Sequence, residues 1–251
     1  MISLPKKPKI VKKGDNHVVF EIDGCYPGYG MTLGNAFRRV LLSSLSGAAI
    51  TSVKIKGASH EFSTIPNVLE DVIQVVLNMK LIRFKVNSKT ALPLKLQLKV
   101  VGEKQVKAKD IKITSEIEII NKDMHIATLT DKKAKLEMEI EIDSGLGYVP
   151  AEKRSKEKLE IGAIAIDATF TPVKKVNYEV ENMRVGDRTD FNRLKIDIET
   201  DGSLTPEQAF EKAAKILVDH FKVFDVEEKK EVKKTPTKKK VKKNATPKKK
   251  K

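Results

Sequence analysis

The sequence predicts an α+β protein, and three observations lead to that class. Apolar residues with helical spacing lie near the two ends of the chain, at 32–46 and 205–221. Between roughly 81 and 170, apolar residues mostly occupy every second position, which is typical of half-buried strands in an antiparallel sheet. The simplest architecture is a discontinuous domain with two long helices packed on an antiparallel sheet, plus an inserted β-rich domain.

The N-terminal elements follow one another closely. Residues 17–22 read as a strand, and a loop rich in glycine and proline follows at 23–30. Residues 32–46 form an amphipathic pattern, and Gly47 suits a left-handed cap at its end. The stretch 50–56 alternates like a strand. This order predicts a strand, a first long helix and a second strand.

A second helix is predicted over 67–80. Asn67 suits the N-cap, and Glu70 follows three positions later as an acidic partner. The apolar stripe of this helix consists of Val68, Val72, Val75, Val76 and Met79. Two further strands are indicated by alternation, at Leu92, Leu94, Leu96, Leu98 and Val100, and at Leu136, Met138, Ile140 and Ile142.

The C-terminal elements are a strand pair and the second long helix. Strands continue over 163–180 and are broken at Pro172, and Leu194, Ile196 and Ile198 alternate in a last strand. Thr205 suits an N-cap, with a proline next and Gln208 at the third position, so a helix should begin there and run to about Phe221.

The predicted boundaries divide the chain into three parts. Residues 1–47 and 176–226 form a discontinuous domain, and 48–175 form the inserted β-rich domain. The segment 227–251 holds thirteen lysines and three glutamates with few apolar residues, so it should be a disordered lysine-rich tail.

Charge and cysteine content limit the function classes. The net charge is +15, of which +10 lies in the tail and about +5 in the remaining 226 residues, so most of the positive charge is outside the folded part. This distribution argues against a free-standing DNA-binding protein. The single Cys25 excludes an internal disulfide framework, and no apolar run is long enough to cross a membrane. We expect a cytoplasmic protein with no membrane association.

The glycine loop carries an ambiguous signal. Gly28, Gly30 and Gly34 follow a strand and open a helix, but the third glycine is one residue late for a dinucleotide fingerprint, and no acidic residue follows at the required distance. A tight turn that sets the helix direction and a partner-docking helix are the other interpretations. The four histidines show no metal-ligand spacing. We therefore expect no catalytic residues, no metal site and no cofactor in this chain.

The first helix carries two different faces. On a helical wheel, Leu33, Phe37, Val40, Leu41 and Ser44 share one side. Arg38 and Arg39 flank the opposite side, and Leu42 lies between them. Arginine is enriched at interface anchors, so this second face is a candidate docking surface. Two solvated arginines beside a stray leucine are the alternative.

Several motifs resemble the bacterial RNA polymerase alpha-subunit family. TLGNAFRRVLLSSL at 32–45 resembles the family signature, and EDVIQVVLNMK at 70–80 and GYVPAE at 147–152 agree in order. Two further blocks agree near the C-terminal end, TPVKKVNYEVENMRVGDRTDFNRL at 171–194 and SLTPEQAFEKAAKIL at 203–217. The resemblance spans about residues 5–224.

The resemblance implies a homodimer on which the beta and beta-prime subunits of RNA polymerase assemble, with sigma and omega joining in the holoenzyme. It implies catalytic magnesium in the large subunits. Beta docking is implied for Arg38, Arg39 and Leu42, and a surface facing beta-prime for Lys80, Pro172, Val173 and Arg188. The implied dimer interface comprises Leu33, Phe37, Leu41, Phe210, Ile216, Leu217 and Phe221.

The family's separate C-terminal DNA-binding domain has no counterpart in this sequence, where only the tail follows residue 226. Flexible lysines can neutralise phosphates without reading sequence. We hypothesise a non-specific DNA tether, and the alternatives are a merely solubilising tail and a tail that binds RNA or an acidic protein. The tether residues would be Lys238, Lys239, Lys240, Lys242, Lys243, Lys248, Lys249, Lys250 and Lys251.

Overall fold

A computed structural model describes residues 2–58, 60–87, 92–154, 160 and 162–224. The helices there are α1 (Tyr29–Ser43), α2 (Val72–Lys80), α3 (Ala151–Arg154) and α4 (Pro206–Lys222), with a 3-10 turn at Ala108–Asp110. The first eight strands are β1 (Lys9–Lys13), β2 (His17–Cys25), β3 (Ser46–Ile55), β4 (Phe84–Val86), β5 (Leu94–Val101), β6 (Lys104–Lys107), β7 (Ile111–Lys112) and β8 (Ile117–Ile119). The others are β9 (His125–Leu129), β10 (Lys135–Leu146), β11 (Tyr148–Val149), β12 (Ala163–Ala165), β13 (Ala168–Thr169), β14 (Val173–Val185) and β15 (Arg188–Thr200).

One sheet combines the two ends of the chain. Its four antiparallel strands lie in the order β1-β2-β15-β14, and the long β14–β15 hairpin supplies half of it. Helices α1 and α4 contact each other and this sheet. The core between them is formed by Val18, Phe20, Ile22, Cys25, Leu41, Leu45, Val173, Val176, Leu194, Ile196, Ile198, Ala209 and Ala213.

A second, larger sheet is formed by the middle of the chain. Its strands lie in the order β7-β5-β10-β3-β4-β8, with β12 also paired to β3. Alternate residues of β5 and β10 point into its core, as Leu98 and its antiparallel partner Met138 do. Helix α2 contributes Val72, Val75 and Met79 to the same core. The predicted α+β class and the alternating strands are therefore confirmed.

The two sheets meet at a close joint. A Cβ atom on Gly47 would lie 1.9 Å from the Phe170 carbonyl oxygen, so the backbones touch where β3 begins. Arg83 Nε lies 3.9 Å from Asp201 Oδ2, and the Asp201 N–H donates to the Pro172 carbonyl at 3.0 Å. The Arg83–Asp201 pair connects the turn after β15 to the second sheet, and the Asp201–Pro172 bond holds this turn beside the start of β14.

The predicted cap at Gly47 is wrong. Helix α1 ends at Ser43, and the N–H of the cap residue Ser44 donates to the Val40 carbonyl. Gly47 belongs to β3 instead, where absence of a side chain permits the approach to Phe170. The helix also begins three residues earlier than the predicted position 32.

The predicted start of the second helix is also wrong. Asp71 is the N-cap of α2, and its side chain accepts from the Gln74 N–H at 2.8 Å. Asn67 has φ of 60°, which is incompatible with a helix, and Glu70 accepts from the Thr128 N–H at 2.6 Å. Both residues are occupied by long-range contacts that local spacing does not indicate.

The predicted start of the last helix is confirmed. Thr205 accepts from the Gln208 N–H, and the Gln208 side chain accepts from the Thr205 N–H, forming a capping box. Pro206 occupies the first helical position, where its missing N–H costs nothing. The predicted domain boundaries stay a prediction, with β3 beginning at Ser46 and β14 at Val173.

Candidate subunit-docking surfaces

Two glycines seat α1 directly on the first sheet. A Cβ atom on Gly30 would lie 2.8 Å from Val180 Cγ1, and one on Gly34 would lie 2.5 Å from Tyr178 Cδ2. Both glycines are buried and one helical turn apart, so they share the face towards β14 and β15. Their role is close packing of a helix on a sheet.

The turn before α1 is fixed by Gly28. Its φ is 85°, a left-handed conformation that glycine adopts without a steric cost, and its N–H donates to Asn192 Oδ1 at 2.9 Å. The backbone N–H of this turn is thus bound by the protein's own side chain. This arrangement matches the turn interpretation of the glycine loop.

Stacked aromatic rings connect α1 to α4. The rings of Phe37 and Phe210 are parallel to within 3°, with centroids 4.8 Å apart. Phe210 also stacks on Phe20 of β2 at 4.5 Å. Aromatic pairs of this kind contribute stabilising free energy beyond that from burying their surface area. The two helices therefore form a helix layer that packs on the sheet.

The predicted dimer-interface residues occupy three different environments. Leu41 is completely buried in the protomer's own core and has no exposed surface to present to a second copy. Phe221 has 64% of its surface exposed. The remaining members are half-buried at the edge of the helix layer, namely Leu33, Phe37, Phe210, Ile216 and Leu217.

The exposed apolar surface extends beyond the residues that the sequence indicates. Val218 on α4 is exposed, and so are Val223 and Phe224 immediately after the helix, the last at 77%. These residues and Phe221 are named here the α4 apolar end. In the sequence VDHFKVF, Val223 and Phe224 lie past the periodic part of the helix, so helical spacing does not indicate them.

The outward face of α1 consists of Met31, Asn35, Arg38, Arg39 and Leu42, all of which are exposed. On a helix these positions fall within about 100° of one another. In the part of the chain that the structure describes, neither guanidinium has an ion-pair partner. The structure thus brings Arg38, Arg39 and Leu42 together, and adds Met31 at 63% exposure.

Lys80 lies in a compact polar network. Its ammonium is 3.3 Å from Asp167 Oδ2 and 5.5 Å from the centre of the Tyr148 ring. Asp167 also accepts from the Ala151 N–H at 3.0 Å and the Tyr148 hydroxyl at 2.8 Å. These contacts lower the pKa of Asp167, and the bond from the Ala151 N–H has the largest effect. The bond that the Tyr148 hydroxyl donates to Asp167 raises the pKa of Tyr148.

Two residues of the predicted beta-prime-facing set are inside the protomer. Val173 is only 2% exposed and belongs to the core of the first sheet. Pro172 is buried beside Gly47, and its carbonyl accepts from Asp201. Their side chains therefore cannot face a partner directly, because burial in the protomer already covers them. Lys174 and Lys175, which directly follow Val173 in the chain, are exposed.

Arg188 does not join the Lys80 network. Arg188 is the first residue of β15. Asp201 directly follows the other end of that strand and lies beside Arg83, near the second sheet. Twelve strand residues span about 40 Å. Arg188 pairs with Asp190 at 3.0 and 2.6 Å and lies over the rings of Tyr26 and Phe191. The predicted set thus forms no single patch.

Metal-binding clusters and membrane-crossing helices are absent from the described ranges. No group of three or more histidine, cysteine, aspartate or glutamate side chains there is arranged to hold a metal ion. None of the helices in that part of the chain is long and apolar enough to cross a membrane. The lysines of the hypothesised DNA tether, at 238–251, lie outside the described residues.

Comparisons with known proteins give one consistent answer. A family model described as the RNA polymerase Rpb3/RpoA insert domain matches residues 53–171. A protein of Clostridium botulinum (strain Hall) named DNA-directed RNA polymerase subunit alpha is 46% identical over 223 residues, covering 87% of this chain and 70% of the relative. Proteins of the same name from Symbiobacterium thermophilum and Prosthecochloris aestuarii are 44% and 52% identical. Their matches cover 88% and 78% of this chain, and 69% and 60% of those relatives.

Proposed function

The chain belongs to the family of DNA-directed RNA polymerase alpha subunits, and we propose that it is a homodimeric scaffold for assembly of the beta and beta-prime subunits. Members of this family act in DNA-directed transcription as part of the polymerase, a nucleotidyltransferase. The observation that carries the scaffold proposal is the helix layer of α1 and α4. It leaves one apolar end and one arginine-bearing face without a partner among the described residues.

The α4 apolar end supports the dimer. Phe221 and Phe224 are 64% and 77% exposed, and large apolar patches on a protein surface mark sites of association. A symmetric dimer presents the same patch twice, so each copy can cover the other's exposed rings. The half-buried Ile216 and Leu217 would complete this interface from the side of the helix.

The dimer proposal is tested by sedimentation equilibrium of Phe221→Asp. The matched control is Phe62→Asp, since Phe62 is 74% exposed but lies before α2, outside the helix layer. We expect a dimer for the unaltered chain and the control, and a monomer for Phe221→Asp. Equal dimer stability of the two variants would contradict the proposed interface.

The outward face of α1 is proposed to dock beta. Arg38 and Arg39 lack intramolecular ion pairs in the described part of the chain, so their guanidinium groups can bind carboxylates or aromatic rings of a partner. Leu42, which is 36% exposed, supplies apolar area between them. A face with two arginines around a leucine fits a mixed interface with a polar rim.

The exposed surface around Lys80 is proposed to face beta-prime. Tyr148 is 55% exposed and holds Lys80 through the shared Asp167 carboxylate, so the group is ordered before a partner arrives. Preorganised side chains lose less entropy on binding. Val173 and Pro172 would act only indirectly, because their burial fixes the backbone that carries the exposed Lys174 and Lys175.

Co-purification of a tagged chain tests the scaffold as a whole. Recovery of two copies of the chain with two very large partners would support the proposal. Recovery as a monomer with nucleic acid alone would overturn it. In this proposal the chain is non-catalytic and cytoplasmic, magnesium is held by the large subunits, and sigma and omega join through the holoenzyme.

The lysine-rich tail is proposed to be a non-specific DNA tether. Its thirteen lysines can each replace a counterion on a phosphate, which makes binding strongly dependent on salt. Full-length polymerase would be compared with polymerase whose alpha subunit ends at Val226. A steeper fall of log affinity against log salt for the full-length form is expected, and equal slopes would exclude the tether.

A further inference from the structure

The positive excess of the chain outside the tail lies in one short segment. Residues 6–13 contain five lysines and no acidic residue, and this stretch is named here the basic edge. Residues 14–226 carry 31 basic and 31 acidic side chains, so the rest of the described fold is balanced. A surplus confined to eight residues is a local feature of the surface.

The structure sets this segment at the margin of the first sheet. Strand β1 pairs with β2 on one side and is the terminal strand of the order β1-β2-β15-β14. All of its residues are exposed, and Lys6 and Lys7 before it are exposed as well. The Lys6 N–H donates to the Asp23 carbonyl at 2.8 Å, so the segment before the strand is also held on the fold.

Nearby carboxylates neutralise only part of this charge. Lys13 pairs with Glu207 at 2.8 Å, and Asp23 is bound by Arg193 at 2.7 Å. Glu21 is the antiparallel partner of Lys9 and lies 3.8 Å from Arg193.

The remaining lysines lack such partners. Lys6, Lys7 and Lys12 form no ion pair within the described ranges. Each of them can therefore exchange its counterion for an external phosphate.

We propose that the basic edge is a second, sequence-independent contact for the phosphate backbone of duplex DNA, located on the folded body of the protein. Seven residues of extended chain span about 23 Å, over which a duplex presents about 14 phosphate charges. The phosphates along the duplex axis are therefore spaced more finely than the lysines along the strand, so binding requires no particular register. Long exposed side chains position the backbone and do not read bases.

Other occupants of this edge fit the structure less well. Pairing with β1 of a second copy would bring lysines opposite lysines, and like charges across strands are destabilising. An acidic protein would satisfy the charge but has no other argument in its favour. Duplex DNA is selected because this inference rests on the proposed role in a DNA-directed polymerase.

The test measures binding of the full-length chain to a short random-sequence duplex over a salt series. The variant carries Lys6→Gln, Lys7→Gln, Lys9→Gln and Lys12→Gln, and leaves the Lys13–Glu207 pair intact. The control carries Lys99→Gln, Lys112→Gln, Lys132→Gln and Lys133→Gln. These four control lysines are exposed and form no ion pair within the described ranges. Both proteins lose the same charge and keep the same tail.

We expect the slope of log affinity against log salt to fall by about 3.6 in the variant, from four phosphate contacts at roughly 0.9 each, and by less than about 1 in the control. Equal slopes would overturn the proposal and leave the lysines as protection against edge pairing. In a second readout, the duplex should protect Lys6, Lys7, Lys9 and Lys12 from acetylation.

Protection by polyglutamate but not by the duplex would assign the edge to an acidic protein and contradict the proposal. The tail is tested separately, since a failed tail tether leaves the difference between variant and control unchanged.

Discussion

Two charged surfaces of this chain look alike in sequence and differ in structure. On the outward face of α1, Arg38 and Arg39 have no ion pair in the part of the chain that the structure describes. On the second sheet, Lys56 pairs with Glu137 at 3.2 Å, and Lys95 pairs with Glu139 at 3.4 Å and with Glu160 at 2.5 Å. These two lysines of the sheet are neutralised by carboxylates of the same surface, whereas the two arginines of the helix are not.

The difference indicates where partners are needed. A surface whose charges are already paired gains little from a partner, because each new ion pair would replace an existing one. An unpaired arginine beside an exposed leucine can gain both a charge pair and apolar burial. The comparison therefore favours α1 over the strands of the second sheet as a docking element.

The first prediction tests whether the first and second sheets are held in one arrangement by their joint at Gly47. Gly47→Ala would force a Cβ to within 1.9 Å of the Phe170 carbonyl oxygen, which only a backbone shift can relieve. We expect a loss of more than about 3 kcal/mol in the free energy of unfolding, at the upper end of overpacking. Urea denaturation measures this change in the free energy of unfolding.

The control for this change is Gly14→Ala, where a Cβ would lie at an ordinary 3.6 Å from the His17 carbonyl. A Gly47→Ala protein as stable as the control would show that the joint adjusts freely. The comparison of two fixed surfaces would then lose its basis.

The second prediction separates the two faces of α1 with neighbouring leucines. Leu41 is fully buried and Leu42 is 36% exposed. We expect Leu41→Ala to cost about 3 kcal/mol of stability through lost transfer energy and a cavity. Leu42→Ala should change stability by less than about 0.5 kcal/mol and should weaken capture of beta instead. Similar stability losses in both variants would mean that α1 has no separate docking face.

Sequence reasoning succeeded where local chemistry decides the structure. Thr205, Pro206 and Gln208 determine the start of α4 through contacts within one turn, and alternation in β10 follows directly from the two-residue period of a strand. It failed at Asn67 and Glu70, since Glu70 is held by Thr128, far along the chain. No local pattern indicates such a contact.

The candidate site shows the same division. The wheel of the first helix groups Arg38, Arg39 and Leu42 correctly on one face, because helical geometry is local. The burial of Pro172 and Val173 depends on Gly47 and on β15, which lie far away in sequence. The apolar residues at the end of α4 and the lysines of β1 can be recognised in the sequence. Whether they are exposed depends on which surfaces the rest of the fold covers.

The third prediction concerns a charge that is already paired within the protomer. Asp23 is 8% exposed, and the bond donated by Arg193 lowers its pKa. A lowered pKa stabilises the fold above the ordinary aspartate pKa, and that contribution is lost as pH falls through the lowered value. We expect Asp23→Asn to cost about 1–2 kcal/mol at neutral pH.

The difference between this variant and the unaltered protein should shrink towards about pH 3.5, below the ordinary aspartate value. Urea denaturation across this range measures it. Asp187→Asn is the control, since the Asp187 side chain is fully exposed. A pH-independent cost of Asp23→Asn would mean that packing, and not charge, is what the residue contributes.

We expect Arg39→Ala to affect folding least of all these substitutions. It also gives the most direct test of the scaffold. The variant and its control Lys215→Ala, an exposed residue of α4, are measured for self-association and for capture of purified beta. We predict intact dimers for both. Beta affinity should be weaker by about 2–5 kcal/mol for Arg39→Ala only, as for loss of one partner of a buried charge pair. Loss of the dimer, or unchanged capture of beta, would contradict the assignment of α1 to two surfaces.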